Sequence, residues 1–155
     1  MEGHTTRIKV RGYHTDFYGH VNNARYLEFY EEDRWAWLDK VINLTQWAKK
    51  GLTFAIVNIN VSYRRSVFLG STIEVRSRLE RIGGHSATLR QEIFLADSDQ
   101  LVSDALVTFV ITGKDGKALN MNADVEEIRE LMSMMKAMSA PNDKLSNSET
   151  SVNAG

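Results

Sequence analysis

The sequence of 155 residues contains no cysteine, which excludes disulfide bonds, thiolate metal sites and a cysteine nucleophile. Its apolar runs fall far short of the roughly 20 residues that span a bilayer, and residues 1–10 lack the apolar stretch of a signal peptide. The formal net charge is −1, so electrostatics do not favour nucleic acid or an anionic membrane as a partner. We therefore predict a soluble cytoplasmic protein with no membrane span and no nucleic-acid partner.

The residues that are present suit one folded domain. The length is typical of a single domain, and 43% of the residues are apolar, which is close to the globular average. After Met138 the chain is mostly polar, and such a segment buries too little apolar surface to offset the entropy of ordering. We predict a domain over residues 1–138 and a flexible C-terminal tail over residues 139–155.

Five segments alternate apolar and polar residues with the period of two that is typical of half-buried β-strands. They cover residues 5–13, 54–65, 72–82, 86–96 and 101–112, and the last of them is nearly continuously apolar, which predicts a central place in the sheet. Gly83-Gly84 predicts a tight hairpin, because glycine readily adopts the positive φ that such turns require. The turns favour an antiparallel sheet. In the second segment one face should hold Ala55, Val57, Ile59, Val61 and Tyr63.

From about Asn22 the apolar spacing becomes helical, and the side chain of Asn22 or Asn23 can cap the helix start by accepting from a free backbone N–H. One stripe holds Leu27, Tyr30, Leu38 and Val41 together with Arg34, and the apolar surface is widened by Tyr26, Phe29, Trp35 and Trp37. A helix on an open surface would be polar over a broader arc, so we expect a curved sheet to wrap around this one. Residues 122–138 predict a second, shorter helix. The order of elements indicates an α+β layer architecture.

One stretch combines an aspartate, a short loop with a glycine, a helix start reading His-Val-Asn-Asn, and then a tyrosine and a glutamate. It covers residues 13–31 and reads YHTDFYGHVNNARYLEFYE. This pattern resembles that of the hotdog-fold thioesterases, in particular the 4-hydroxybenzoyl-CoA thioesterase-like branch, which includes the Tol-Pal-associated acyl-CoA thioesterases. The resemblance extends over roughly residues 5–135, because the later order of strands also fits.

The resemblance implies a hotdog fold, in which an antiparallel sheet of about five strands wraps around a long central helix. It implies hydrolysis of an acyl thioester, carried by CoA or by acyl-carrier protein, without a metal or an organic cofactor. It also implies a homodimer or homotetramer whose active sites lie where two copies meet.

Asp16 is the residue we expect at the centre of this chemistry. Thioester hydrolysis needs a group that attacks the carbonyl or activates water, and stabilisation of the charge that develops on the carbonyl oxygen. By resemblance, Asp16 is a general base or a nucleophile, and the sequence leaves both open. The oxyanion donor matches the main-chain N–H of Asn23 or a neighbour, where unpaired N–H groups favour negative charge. His20 orients Asp16, transfers a proton or only shapes the loop.

Four residues are candidate substrate contacts. Arg64 and Arg65 follow Tyr63 at a predicted strand end that matches family regions along the acyl-carrier groove. A guanidinium suits the CoA diphosphate, although a solvated strand end explains these residues equally well. Glu31 is shared with the family pattern, either as a structural residue that can pair with Arg34 or as a group near the partner's site.

Two other functions stay open from the residues alone. A hotdog dehydratase or hydratase uses an aspartate–histidine pair, which Asp16 and His20 superficially offer with a spacing one residue shorter than expected. A non-catalytic acyl-CoA-binding protein would bind the thioester without turnover, and the intact Asp16 argues against it. The spacing of His14, Asp16 and His20 matches no standard set of metal ligands, so we predict no metal site.

Overall fold

The computed structural model describes residues 3–138. Its elements are β1 (His4–Lys9), a 3-10 helix (Gly12–His14), α1 (Asn23–Val41), α2 (Leu44–Lys49), β2 (Thr53–Tyr63), β3 (Thr72–Ile82), β4 (Ala87–Leu95), β5 (Leu101–Thr112) and α3 (residues 126–138). The strands form one antiparallel sheet in the order β1-β3-β4-β5-β2, with α1 packed across one face. The predicted α+β hotdog architecture is confirmed, and the predicted tail lies outside the described residues.

The inner three strands provide the sheet side of the core. Their alternation turns one set of apolar side chains toward α1, and all of these are buried: Ile73, Val75, Leu79, Ala87, Leu89, Ile93, Val107, Phe109 and Ile111. β5 lies between β4 and β2, as its nearly continuous apolar run predicted. The core forms two clusters, one under the start of α1 and one under its end, and α3 closes the second with Ile128, Leu131 and Met135.

β2 contains a β-bulge at Val57 that the sequence interpretation missed. The register with β5 shifts between Ile56 and Asn58, which inserts one extra residue and inverts the alternation. The predicted common face is therefore wrong for Ala55 and Val57. The residues of β2 that pair with the inward-facing positions of β5 are Phe54 and Ile56 before the bulge, and Ile59, Val61 and Tyr63 after it.

The face that α1 turns toward the sheet differs in part from the predicted stripe. Its buried residues are Tyr26, Phe29, Tyr30, Asp33, Trp37 and Leu38. Leu27 and Trp35 stay 39% and 47% exposed, so the sheet covers only one side of the helix. The predicted cap at the start of α1 is confirmed, because the Asn22 side chain accepts a hydrogen bond from the Ala24 N–H at 3.0 Å.

A fully buried carboxylate, Asp33, links α1 to the sheet. His4 Nδ1 lies 2.8 Å from its Oδ1, Thr6 Oγ1 donates to the same oxygen at 2.5 Å, and Ser77 Oγ donates to Oδ2. A charge removed from water is tolerated only when such partners replace the lost hydration. The network therefore fixes the position of α1 against β1 and β3.

Several boundaries and turns depart from the predictions. The first strand ends at Lys9, and the helical segment divides at Asn43, whose side chain caps α2 by accepting from the Gln46 N–H at 3.1 Å. The hairpin at Gly83-Gly84 forms, but neither glycine adopts a positive φ. Among residues 3–138, no helix combines the length and the apolarity needed to cross a bilayer.

Candidate active site

Asp16 begins a tight turn in the loop between β1 and α1. Its N–H donates to the His20 carbonyl at 2.8 Å, and the Gly19 N–H donates to the Asp16 carbonyl at 3.1 Å. Gly19 closes the turn with a φ of 77°, a conformation that costs residues with a Cβ free energy. The Asp16 Oδ1 accepts from the Tyr18 N–H at 2.9 Å, which leaves Oδ2 without a donor among the described residues.

The start of α1 offers one free main-chain donor. The Asn22 N–H is bound to the His14 carbonyl, the Ala24 N–H to the Asn22 side chain, and the Arg25 N–H to the Asn22 carbonyl. Within residues 3–138, the Asn23 N–H has no acceptor. An unpaired N–H at a helix N-terminus, aided by the helix dipole, favours negative charge.

A polar cleft of about 280 Å³ lies between this loop, the start of α1 and the end of β2. Six of the seven predicted site residues line it: Asp16, His20, Asn23, Tyr63, Arg64 and Arg65. They come from two segments 40 or more residues apart, which the antiparallel sheet brings together. Glu31, the seventh, lies elsewhere.

Tyr63 connects the end of β2 to the start of α1. Its hydroxyl donates to the Asn23 carbonyl at 3.3 Å, and its ring lies 5.3 Å from the ring of Tyr26. The contact holds the first residue of the helix against the sheet. Tyr63 therefore positions the start of α1 at the cleft.

The two arginines at the cleft have different surroundings. Arg64 donates from Nε and Nη2 to both carboxylate oxygens of Asp104, at 2.9 and 3.2 Å, and this hydrogen bonding raises the pKa of its guanidinium. The Arg65 side chain has no ion pair or hydrogen bond to any described residue, and its main-chain N–H donates to the Val102 carbonyl. Of the two arginines at this cleft, Arg65 is the one that is available to a ligand.

The rings of the two histidines in the loop contact residues other than Asp16. The His20 ring packs edge-on against Phe68, with 4.7 Å between centroids, and no described hydrogen bond joins it to the Asp16 carboxylate. His14 accepts the Arg11 N–H at 2.9 Å, and burial lowers the pKa of its imidazole, with the charge of Arg25 adding to the effect. In the part of the chain that the structure describes, no three His, Asp or Glu side chains converge as metal ligands.

A second cavity, of about 440 Å³, opens between the end of α1, α2 and the start of β2. Its walls are mostly apolar and hold all three tryptophans of the chain, Trp35, Trp37 and Trp47, together with Leu38, Leu52, Phe54, Ile56, Leu89 and Phe109. We call it the apolar pocket. Its two charged lining residues are Glu31 and Arg34.

Comparison with known proteins identifies the family. A family model described as the thioesterase-like superfamily matches residues 10–143. This chain belongs to the thioesterase-like superfamily. The thioesterase is 45% identical over 128 residues to the long-chain acyl-CoA thioesterase FadM of Escherichia coli (strain K12), covering 82% of this chain and 97% of the relative.

Two further comparisons agree with this assignment. The crystal structure of YbaW, a probable thioesterase from Escherichia coli, matches with a TM-score of 0.75 and 44% identity over 82% of this chain and 96% of that one. The chloroplastic acyl-acyl carrier protein thioesterase ATL2 of Arabidopsis thaliana is 27% identical over 108 residues, covering 69% of this chain and 57% of the relative. The protein is an enzyme that hydrolyses acyl thioesters.

Glu31 does not form the pair with Arg34 that the helical spacing allowed. Glu31 accepts from the Trp35 Nε1 at 3.1 Å, and Arg34 donates to Gln91 Oε1 at 2.8 Å, so no ion pair joins Glu31 to Arg34 in the thioesterase. The sequence interpretation also missed the apolar pocket, and it missed Gln91 as the acceptor for Arg34. The only signal was the excess of aromatic residues on α1, which were all assigned to the core.

Proposed function

We propose that the thioesterase hydrolyses long-chain acyl-CoA, with the thioester carbonyl bound in the polar cleft at the start of α1. The observation that carries this proposal is the meeting of the Asp16 carboxylate and the unpaired Asn23 N–H in one cleft. The likeness to FadM, named for long-chain acyl-CoA, supports the choice of substrate. A cytoplasmic location stays a prediction from the sequence.

The Asn23 N–H would bind the carbonyl oxygen as it becomes an oxyanion. Such preorganised donors act most strongly on charge that develops in the transition state. Asp16 either takes a proton from an attacking water or adds to the carbonyl to give a mixed anhydride that water then hydrolyses. In both routes the water oxygen ends on the acyl carbon, the C–S bond breaks and the thiol leaves with a proton.

Arg65 is the proposed contact for the phosphates of CoA. A guanidinium binds phosphate through paired N–H donors, and Arg65 has no protein acceptor within residues 3–138. Arg64 is already held by Asp104, so we assign it to positioning of the strand end. An acyl-carrier protein also presents a phosphate, which keeps it as the second candidate carrier.

We propose that two copies pair through β2 to complete the site. β2 is an edge strand of 11 residues with Ile56 and Val57 exposed, and long edges with apolar residues invite pairing. An antiparallel pair about a two-fold axis would set the end of one β2, beside the cleft, against the start of the other, beside its apolar pocket. Sedimentation at micromolar concentration should give a mass of two or four chains, and a monomer would contradict the pairing.

Varying the acyl chain and the carrier tests the substrate proposal. We expect kcat/KM to rise with chain length from butanoyl- through octanoyl- and dodecanoyl- to hexadecanoyl-CoA. The rise should be up to about fourfold per methylene until the acyl chain fills the apolar pocket. Thiol release with a colorimetric reagent measures the rates. Dodecanoyl-N-acetylcysteamine, which lacks phosphate, should show a higher KM, and Arg65→Ala should remove most of that difference. Rates that are independent of chain length would contradict the proposal.

A further inference from the structure

The apolar pocket contains a cation, Arg34, that forms no ion pair with any described carboxylate. Arg34 lies on α1 at the pocket and is partly buried. Among the described residues it forms no ion pair, and its one side-chain hydrogen bond runs to the neutral amide of Gln91, at 2.8 Å. Of the five N–H donors of a guanidinium, most are therefore left for a ligand.

Gln91 and its hydrogen-bond partners fix the position of the Arg34 guanidinium. Gln91 is fully buried, and its Nε2 donates to the Tyr30 carbonyl at 3.0 Å and to Ser77 Oγ at 2.8 Å. Ser77 in turn donates to Asp33. These bonds turn the Gln91 Oε1 toward Arg34, so a buried polar network holds the cation at the pocket wall.

Neither of the two nearby acids forms an ion pair with Arg34. Asp33 already accepts from His4, Thr6 and Ser77, and Glu31 is exposed and bound to the Trp35 indole. Burial lowers the pKa of the Arg34 guanidinium from its usual value, and the charges of Glu31 and Asp33 only oppose this effect. Arginine nevertheless stays charged in proteins, and a partly desolvated cation without an ion-pair partner is costly.

We propose that the apolar pocket binds a long-chain carboxylate, with the carboxylate on Arg34 and the hydrocarbon chain among Trp37, Trp47, Leu52 and Phe109. The pocket size is in the range of small-molecule sites, and a bidentate carboxylate matches the guanidinium. The identification of this ligand as the released acid rests on the proposed function. The binding site itself does not, because it needs no turnover.

Tryptophan fluorescence measures this binding directly, since all three tryptophans line the pocket. Titration with dodecanoate below its micelle concentration should change the emission and saturate. Dodecanol should bind more weakly than dodecanoate. Arg34→Met keeps an apolar stem and should weaken dodecanoate binding by about 10–100-fold, the usual effect of losing a charge-assisted hydrogen bond, while dodecanol binding should change less than about threefold.

Matched variants distinguish the loss of the Arg34 charge from a general change in the fold. Arg34→Lys should retain part of the preference for dodecanoate. Arg81→Met, which removes an exposed arginine with no described side-chain hydrogen bond or ion pair, should bind both ligands as the unaltered protein does. Unchanged dodecanoate binding in Arg34→Met would overturn the inference. Saturable dodecanoate binding without hydrolysis of any acyl-CoA would overturn the proposed function and leave this site standing.

Discussion

Replacing Asp16 by asparagine should lower kcat/KM for the best acyl-CoA by about 10²–10⁴-fold, the usual range for a positioned acid–base group. An amide neither accepts a proton from water nor attacks the carbonyl. The turn should persist, because the amide oxygen can still accept from the Tyr18 N–H that now binds Oδ1. Thiol release over the acyl-CoA series measures the rate, and urea unfolding checks that stability is retained.

Asp39 supplies the control for this experiment. It is an exposed aspartate on α1, and its side chain has no described hydrogen bond or ion pair, so Asp39→Asn should retain the rate of the unaltered enzyme. If Asp16→Asn hydrolyses acyl-CoA as fast as Asp39→Asn, the assignment of the cleft as the reaction site is wrong.

Replacing Asp33 by alanine should lower the free energy of unfolding by about 3–5 kcal/mol, as expected for breaking a buried charged network. The carboxylate is fully buried and accepts from His4, Thr6 and Ser77. Its removal leaves Ser77, which is buried, and His4 and Thr6, which are partly buried, without this acceptor and also creates a cavity. Urea-induced unfolding followed by circular dichroism gives the difference.

Asp39, which lies on the same helix as Asp33, also supplies the control for this stability prediction. Asp39→Ala removes an exposed carboxylate and should change stability by no more than about 0.5 kcal/mol. Ser77→Ala should cost less than Asp33→Ala, because it removes one of the three donors. A loss below about 1 kcal/mol for Asp33→Ala would show that the network does not hold α1 against the sheet.

The sequence was sufficient for the five strands and the start of α1, because these depend on local patterns. The period of two located all five strands, and the stretch from Asp16 to Asn23 is contiguous, so its turn and cap could be foreseen. Tyr63, Arg64 and Arg65 were chosen by resemblance, and the fold brings them to the same cleft.

The features that the sequence did not predict depend on contacts between residues that are far apart in the chain. The bulge at Val57 has no distinctive residue type, so strict alternation was carried through it. Asp33 was not identified as buried, because its partners lie 27 to 44 residues away along the chain. Arg34 was matched to Glu31 by helical spacing, whereas its acceptor is Gln91, which is 57 residues distant.

The bulge in β2 also has a consequence for how the enzyme can change over evolution. One inserted residue lets Phe54 and Ile56 line the apolar pocket while Ile59 and Val61 reach the core. A regular strand of the same 11 residues would place these two pairs on opposite faces and leave one of them in solvent, whereas deleting Val57 would remove the bulge and keep both pairs on the inner face. Substitutions on either side of Val57 are thus free to reshape the apolar pocket or the core separately, and the bulge is the point at which this strand can lose a residue.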